Sequence, residues 1–186
     1  GSTILTEDGN FPTDLYVAQG LSHNHPDPPR LKVCTSRDEL IDSIDTDTAI
    51  VYLSHADYRS GECWNMADIN HRAHAVDALT VWDLSHSTGA IPVDLTRDDA
   101  DFAVGCGYKY LSGGPGGSAY LWINPRHAEN GWPTICGWMG HLDVFAFATE
   151  YEPLTGAGRH ATGTPAVIAN EIFFCAAEIW QEVDEK

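Results

Sequence analysis

Short apolar runs alternate with amphipathic segments along this chain, and that alternation predicts an α/β domain. The apolar runs are short enough to be buried strands, and they predict a mostly parallel sheet. Strands are expected at residues 3–5, 31–33, 48–53, 79–83, 101–105 and 119–123.

The segments between these runs carry helix signals. A helix is expected to begin near Pro12, and Ser36 with Glu39 has the spacing of a capping box that opens a second helix. A third helix is expected over residues 65–75, whereas residues 126–164 are rich in loop-forming residues. The last segment, residues 165–183, has apolar residues at helical spacing and predicts an amphipathic helix. They are Ile168, Ile172, Cys175, Ile179 and Val183.

Length and charge narrow the class of protein. The 186 residues, 43% of them apolar, are enough for a single domain over residues 1–186. No apolar run approaches the roughly 18 residues of a membrane helix, so no membrane partner is expected. No signal-peptide pattern opens the chain. A net charge of −17 with only ten basic residues argues against a nucleic-acid partner, and we interpret the acidity as favouring solubility.

The metal-binding residue types show no pattern typical of a metal site. The five cysteines are scattered without a C-x-x-C pair, which argues against zinc binding and a disulfide framework and favours a reducing cytoplasm. His71 and His74 lie three residues apart on a predicted helix. No third ligand is evident, so a solvated helix face is the favoured interpretation and no metal is expected.

Polar residues follow four of the predicted strands. Residues 11–14 come after the first strand, Ser54 after the third, residues 83–86 after the fourth, and Lys109 after the fifth. In open α/β sheets, ligands gather beyond the carboxyl ends of the strands. One ligand is therefore expected to contact all of these segments.

Two of these residues suggest the chemistry of the ligand. Lys109 stands between two tyrosines and is followed by a glycine-rich stretch, which suits a desolvated amine that a planar ligand approaches closely. Asp83 ends the preceding apolar run and suits a carboxylate that pairs with a cationic ring nitrogen. A Schiff-base lysine and an acidic partner for the pyridinium are the two protein groups that a pyridoxal 5'-phosphate enzyme needs. The glycines at 113–117 lack the Lys-Ser/Thr of a P-loop, so we interpret them as a tight turn.

Four passages in order, at residues 10–16, 83–95, 101–116 and 137–141, resemble the kynureninase family. The resemblance runs from about residue 4 to about residue 180 of the chain. It implies a three-layer α/β/α large domain of a fold-type I pyridoxal-phosphate enzyme of the aminotransferase class V group. It also implies a fragment, because family members have a further N-terminal segment and a C-terminal small domain with the arginine that binds the substrate carboxylate.

The resemblance implies roles for the residues near the lysine. Lys109 would form the Schiff base and shuttle the Cα proton, and Tyr108 would contact the phosphate and act as a general acid. Asp83 would pair with the ring nitrogen, while His86 and Ser54 would contact the cofactor.

The resemblance also implies an aromatic wall over the cofactor ring and contacts from a neighbouring subunit. Trp138 and Thr164 match positions that reach the phosphate from the second subunit of a homodimer. The wall over the ring face would be built by Phe11 with Pro12, Thr13 and Asp14.

The implied reaction is hydrolysis of the small molecule L-kynurenine, or its 3-hydroxy form, to anthranilate and L-alanine in tryptophan catabolism. Two alternatives stay open. Cysteine desulfurases share the order of aspartate, histidine and lysine, but they typically have a histidine where this chain has Tyr108. The fragment itself is also compatible with a scaffold that keeps the fold without chemistry.

Overall fold

The computed structural model describes residues 1–129 and 131–183 and contains a six-stranded sheet with helices on both faces. The strands lie in the order β2-β1-β3-β4-β5-β6. They are β1 (Thr3–Glu7), β2 (Arg30–Cys34), β3 (Thr48–Ser54), β4 (Leu79–Asp83), β5 (Phe102–Cys106) and β6 (Ala119–Ile123). The α-helices are α1 (Pro12–Asn24), α2 (Arg37–Asp42), α3 (Met66–His74) and α4 (Val167–Trp180), with 3-10 turns at Pro125–His127, Trp138–Gly140 and Gly156–His160.

The pairing of the strands confirms the predicted, mostly parallel sheet. Strands β1 to β5 pair in parallel, and β6 alone runs antiparallel to β5, with Gly105 opposite Tyr120. Every predicted strand is present, and the bounds of β4 and β6 coincide with the predicted ones. Parallel strands direct their carboxyl ends to one edge, so the segments after β1, β3, β4 and β5 meet there.

The helices begin where the side chains can satisfy free backbone N–H groups. Ser36 Oγ accepts a hydrogen bond from the Glu39 backbone N–H at 3.2 Å, as the capping-box spacing predicts. Glu39 Oε2 accepts from the Thr35 backbone N–H at 2.8 Å, one residue earlier than in a standard capping box. Asn65 caps α3 in the same way, accepting from the Asp68 N–H at 3.1 Å.

The apolar core lies on the sheet face that α2 and α3 cover. Alternate residues of the central strands point to this face. Trp82, only 1% exposed, donates a hydrogen bond from Nε1 to Asn70 Oδ1 at 2.9 Å, so the ring is buried with its polar atom satisfied. Helix α1 covers part of the opposite face. The core contains Leu5, Leu40, Val51, Leu53, Ile69, Ala73, Trp82 and Ala103.

The last helix is present, but most of the predicted apolar stripe is exposed. Ile168 is 79% exposed and Ile179 is 67% exposed, and no residue of α4 is fully buried. The neighbouring stripe is turned inward instead, and its Phe173 and Trp180 side chains contact residues 107–118. Its half-buried members are Ala169, Phe173, Ala176, Ala177 and Trp180.

A buried carboxylate joins three elements at the amino edge of the sheet. Asp101, 1% exposed, accepts hydrogen bonds from Arg126 Nη2 at 2.6 Å and from the Thr80 backbone N–H at 2.8 Å. His127 Nε2 lies 2.7 Å and His74 Nε2 2.8 Å from its oxygens. The interpretation of His74 as part of a solvated helix face is therefore wrong, since it pairs with a carboxylate that the sheet buries.

Within the described residues, no helix is long and apolar enough to cross a membrane. The same residues contain no group of three or more His, Cys, Asp or Glu side chains placed to hold a metal ion.

Candidate active site

A cavity of about 380 Å³ opens at the carboxyl edge of the sheet. Its walls come from the start of α1, the end of β4 and the loop between β5 and β6. Six of the predicted site residues line it: Phe11, Thr13, Asp14, Asp83, Tyr108 and Lys109. The structure thus brings together the predicted segments after β1, β4 and β5, whereas Ser54 at the end of β3 is not part of the lining.

The Lys109 amine lies beside the imidazole of His86. Their Nζ and Nε2 atoms are 3.0 Å apart. The Nζ atom is also 5.3 Å from the ring centroid of Phe11 and 5.7 Å from that of Tyr108. Burial and the neighbouring Lys109 charge lower the pKa of His86, so the ring is neutral at pH 7 and accepts a hydrogen bond from the amine.

Two buried carboxyl groups lie across the cavity. Asp83 is 6% exposed, and its Oδ1 accepts hydrogen bonds from the Ser85 N–H at 2.9 Å and the Ser85 hydroxyl at 2.6 Å. Burial, and then the charge of Asp83, raise the pKa of Asp14 to about 6. The Ser54 hydroxyl donates a long hydrogen bond to Asp14 Oδ2, at 3.4 Å. Burial and the Asp14 charge also raise the pKa of Tyr52 above its usual range.

Three rings form one side of the site. Phe11 and Tyr58 meet edge to face with centroids 5.4 Å apart, and the His86 centroid is 6.0 Å from Tyr58 and 6.3 Å from Phe11. Sequence reasoning singled out Phe11 and His86 but missed Tyr58. Its signal is its place in the loop that follows β3, at the same edge as the other site residues.

The lysine is carried on a closed loop of residues 107–118, here called the lysine loop. The Gly107 N–H donates to the Ser118 carbonyl at 2.8 Å, and the Gly113 N–H donates to the Gly107 carbonyl at 2.7 Å. Gly114 and Gly116 have positive φ, and the Gly117 N–H closes on the Gly114 carbonyl at 2.9 Å. The predicted tight turn is therefore confirmed.

A tyrosine of β6 joins the last two strands to the segment after β4. The Tyr120 ring lies across Gly105, where a Cβ would be 2.2 Å from the tyrosine Oη. The same hydroxyl donates to Thr88 Oγ1 at 2.7 Å. Glycine at position 105 is thus what allows the ring to reach the segment that begins with Asp83.

The remaining five predicted site residues are not part of the cavity lining, although one of them, His86, contacts the Lys109 amine. Pro12 is the first residue of α1, and Ser54 is buried behind Asp14. Trp138 is 43% exposed, with its ring centroid 6.3 Å from that of Phe145, and Thr164 is exposed. A contact of Trp138 and Thr164 with the cavity of a neighbouring subunit therefore stays a prediction.

Sequence comparison places this site in a known family. The model of the family described as Aminotransferase class-V matches residues 30–185. The chain belongs to the aminotransferase class-V family. The match takes in β2 to β6 and therefore both Asp83 and Lys109.

Similar proteins within the family include three named kynureninase. That of Pseudomonas fluorescens is 40% identical over 181 residues, and that of Deinococcus radiodurans is 44% identical over 182 residues. That of Burkholderia pseudomallei is 38% identical over 181 residues. Each match covers 97% of this chain, which spans 44% of the length of each relative.

Solved structures confirm the fold-type I architecture. C-DES with glycine covalently linked to its PLP cofactor has a TM-score of 0.82 at 20% identity, and covers 98% of this chain and 50% of its own. The cysteine desulfurase CsdA from Escherichia coli has a TM-score of 0.76 at 23% identity, and covers 100% of this chain and 47% of its own. At these identities the likeness concerns the fold.

Proposed function

We propose that this chain is the pyridoxal-phosphate-binding large-domain core of a kynureninase, which hydrolyses L-kynurenine. The observation that carries the proposal is the Lys109 amine facing a pair of buried carboxyl groups across one cavity. The kynureninases that are 38–44% identical over 97% of the chain support it.

The donor set of the cavity fits the cofactor. Asp14 and Asp83 repel each other in a buried place, which raises the pKa of Asp14, and a cationic ring nitrogen would relieve this repulsion. Phe11 supplies an apolar ring face at the same place. When bound, pyridoxal phosphate supplies an aldehyde that an amine attacks and a ring that takes up an electron pair.

The amine of Lys109 must lose its proton before it can act as a nucleophile or a base. The neutral His86 ring, 3.0 Å away, holds the amine by a hydrogen bond and directs it toward the Phe11 face. After cofactor binding, Nζ is placed to take the Cα proton of the substrate. Asp83 keeps the opposite end of the site negative, held by Ser85.

Hydrolysis adds one water across the Cβ–Cγ bond of L-kynurenine and gives anthranilate and L-alanine. Tyr108 lines the cavity next to Lys109 and is 49% exposed as a residue, so its side chain is accessible to both substrate and water. We assign to it the proton that moves at the γ-carbonyl oxygen. The proposal includes the 3-hydroxy form of kynurenine as a substrate.

The proposal also covers the oligomeric state and the cellular location. Trp138 and Thr164 lie on exposed segments and would reach the phosphate of a second subunit in a homodimer. The enzyme would act in the cytoplasm, in the kynurenine pathway of tryptophan catabolism and NAD biosynthesis.

A cysteine desulfurase fits less well. The solved cysteine desulfurase CsdA is 23% identical, against 38–44% for the kynureninases. The residue before the lysine is also Tyr108 rather than the histidine typical of desulfurases.

The test is to incubate the chain with pyridoxal phosphate, reduce with borohydride and locate the cofactor by peptide mass spectrometry. The expected result is one adduct, on Lys109, because this is the one lysine in the cavity lining among the residues that the structure describes. Lys109→Ala should abolish it, while Lys32→Ala, at an exposed strand position, should leave it unchanged.

The second stage adds L-kynurenine and follows anthranilate fluorescence. Anthranilate formation by wild type but not by Lys109→Ala supports the full proposal. Random labelling of surface amines would overturn the cofactor site, and a specific adduct without turnover would overturn hydrolysis by this chain.

A further inference from the structure

We propose that Phe173 on α4 is a positioning residue for Lys109, acting through the glycines at the base of the lysine loop. The inference rests on the proposed function only in assigning the amine its ligand. It concerns how the chain holds the amine still.

The Phe173 ring lies against two glycines of the lysine loop, where a Cβ would be crowded by the ring as well as by backbone carbonyl oxygens. A Cβ at Gly113 would lie 2.9 Å from Phe173 Cδ2, and one at Gly107 would lie 3.1 Å from both Cδ2 and Cε2. These are the glycines whose backbones bond to each other, at 2.7 Å from N–H to carbonyl. The ring therefore packs directly against the backbone bond that closes the loop.

Other residues of α4 contact the same loop. Ile172 Cγ2 would be 3.5 Å from a Cβ at Gly114, and Asn170 is hydrogen-bonded to the Ser118 side chain. Trp180 Nε1 donates to the Leu111 carbonyl at 3.4 Å. In the part of the chain that the structure describes, α4 has no comparable packing against a strand or another helix. Helix α4 thus packs on the lysine loop through its inward stripe and through neighbouring residues such as Ile172.

The position of the loop decides the position of the amine. Lys109 follows Gly107 by two residues, and the Ser112 N–H bonds back to the Lys109 carbonyl at 3.0 Å. A glycine-rich loop loses much conformational entropy when it is ordered, and its glycines have no side chains with which to pack. Phe173 supplies the missing apolar contact, so that the loop presents Nζ to His86 and Phe11.

The experiment compares Phe173→Ala with Phe174→Ala, the adjacent residue of the same helix. Phe174 is 59% exposed, so its truncation controls for losing a phenyl ring from α4. The readout is the rate at which pyridoxal phosphate becomes fixed on Lys109 under borohydride. Misplacing a reacting group by about 1 Å can cost on the order of 100-fold, and we expect Phe173→Ala to slow fixation by roughly ten- to 100-fold. Phe174→Ala should stay within about twofold of wild type, as expected for an exposed site.

A second readout needs no cofactor. The amides of Gly107 and Gly113 should exchange with deuterium faster in Phe173→Ala than in wild type or Phe174→Ala, while the core amides of β3 and β4 should not change. Faster exchange everywhere would show global destabilisation and overturn the positioning role. Phe173→Leu, which keeps apolar volume, should restore fixation in part, and it serves if the alanine variant fails to fold.

The two proposals fail in different ways. If wild type forms no adduct on Lys109, the proposed cofactor site is wrong, and amide exchange alone decides the role of Phe173. If wild type forms the adduct and Phe173→Ala forms it equally fast, the positioning role is wrong and the cofactor site stands.

Discussion

Asp14 is a buried carboxyl that folding makes harder to ionise. The unfolded chain should ionise it near pH 3.9, whereas burial and Asp83 raise its folded pKa to about 6. Between these values the folded chain binds more protons than the unfolded chain. The free energy of unfolding that Asp14 contributes therefore falls as the pH rises from about 4 to 6.

Replacing this carboxyl by an amide should stabilise the chain without cofactor. We expect Asp14→Asn to raise the free energy of unfolding at pH 7.5 by roughly 1 to 2 kcal/mol, since partial solvent contact screens the full value. The gain should vanish toward pH 4, where the wild-type group is protonated. Urea unfolding at both pH values measures it, with exposed Asp27→Asn as the control for one lost charge. A gain in the free energy of unfolding that is the same at both pH values would contradict the raised pKa of Asp14.

Single site residues were predictable where strand order decides their position. Asp83 and Lys109 each follow an apolar run, and parallel strands bring such ends together. Tyr58 and Phe173 were not, because their contacts depend on the path of a loop and on the rotation of a helix about its axis. Neither quantity follows from the spacing of apolar residues.

Asp101 connects elements through one carboxylate. Burial alone would raise its pKa, but hydrogen bonds from Arg126, His127 and His74 lower it well below the usual range. The carboxylate thus stabilises the chain above the pKa of the unfolded state, and this contribution is lost as the pH falls toward the folded pKa.

Removing this charge should be costly at neutral pH. Asp101→Asn removes a buried carboxylate that accepts hydrogen bonds from Arg126 and the Thr80 backbone N–H. The Arg126 side chain is 38% exposed and keeps its ion pair with Asp99, so the expected loss in the free energy of unfolding is about 1.5 to 3 kcal/mol. Asp99→Asn is the matched control, because Asp99 also pairs with Arg126 but is 58% exposed. Its expected loss is under about 1 kcal/mol. Equal losses of the two variants in urea unfolding would show that burial of the Asp101 carboxylate is unimportant.

Helix α4 shows the limit of pattern at the level of an element. Its existence was predictable from apolar spacing, but the stripe chosen from Ile168 and Ile179 is exposed. Ala169, Phe173 and Trp180 form an equally regular stripe. A helix that is apolar on several sides offers more than one stripe, and only the shape of its neighbour selects among them.

At the scale of the whole molecule, the fold class was predictable from the sequence. Alternating strands and helices, together with strand ends rich in polar residues, were enough for a mostly parallel sheet with a site at its carboxyl edge. The antiparallel direction of β6 was not stated by the pattern. The connection after β5, residues 107–118, is a glycine-rich loop without a helix, and it folds back on itself so that β6 returns beside β5 in the opposite direction.

The contact of Tyr120 with Gly105 has a consequence for how relatives diverge. The obstacle to a side chain at position 105 is the tyrosine itself and not the backbone, so either partner can grow if the other shrinks. Across the family, a bulky residue at 105 should accompany a small one at 120, and the reverse. An alignment in which both positions are often large would show that the two strands accommodate change independently.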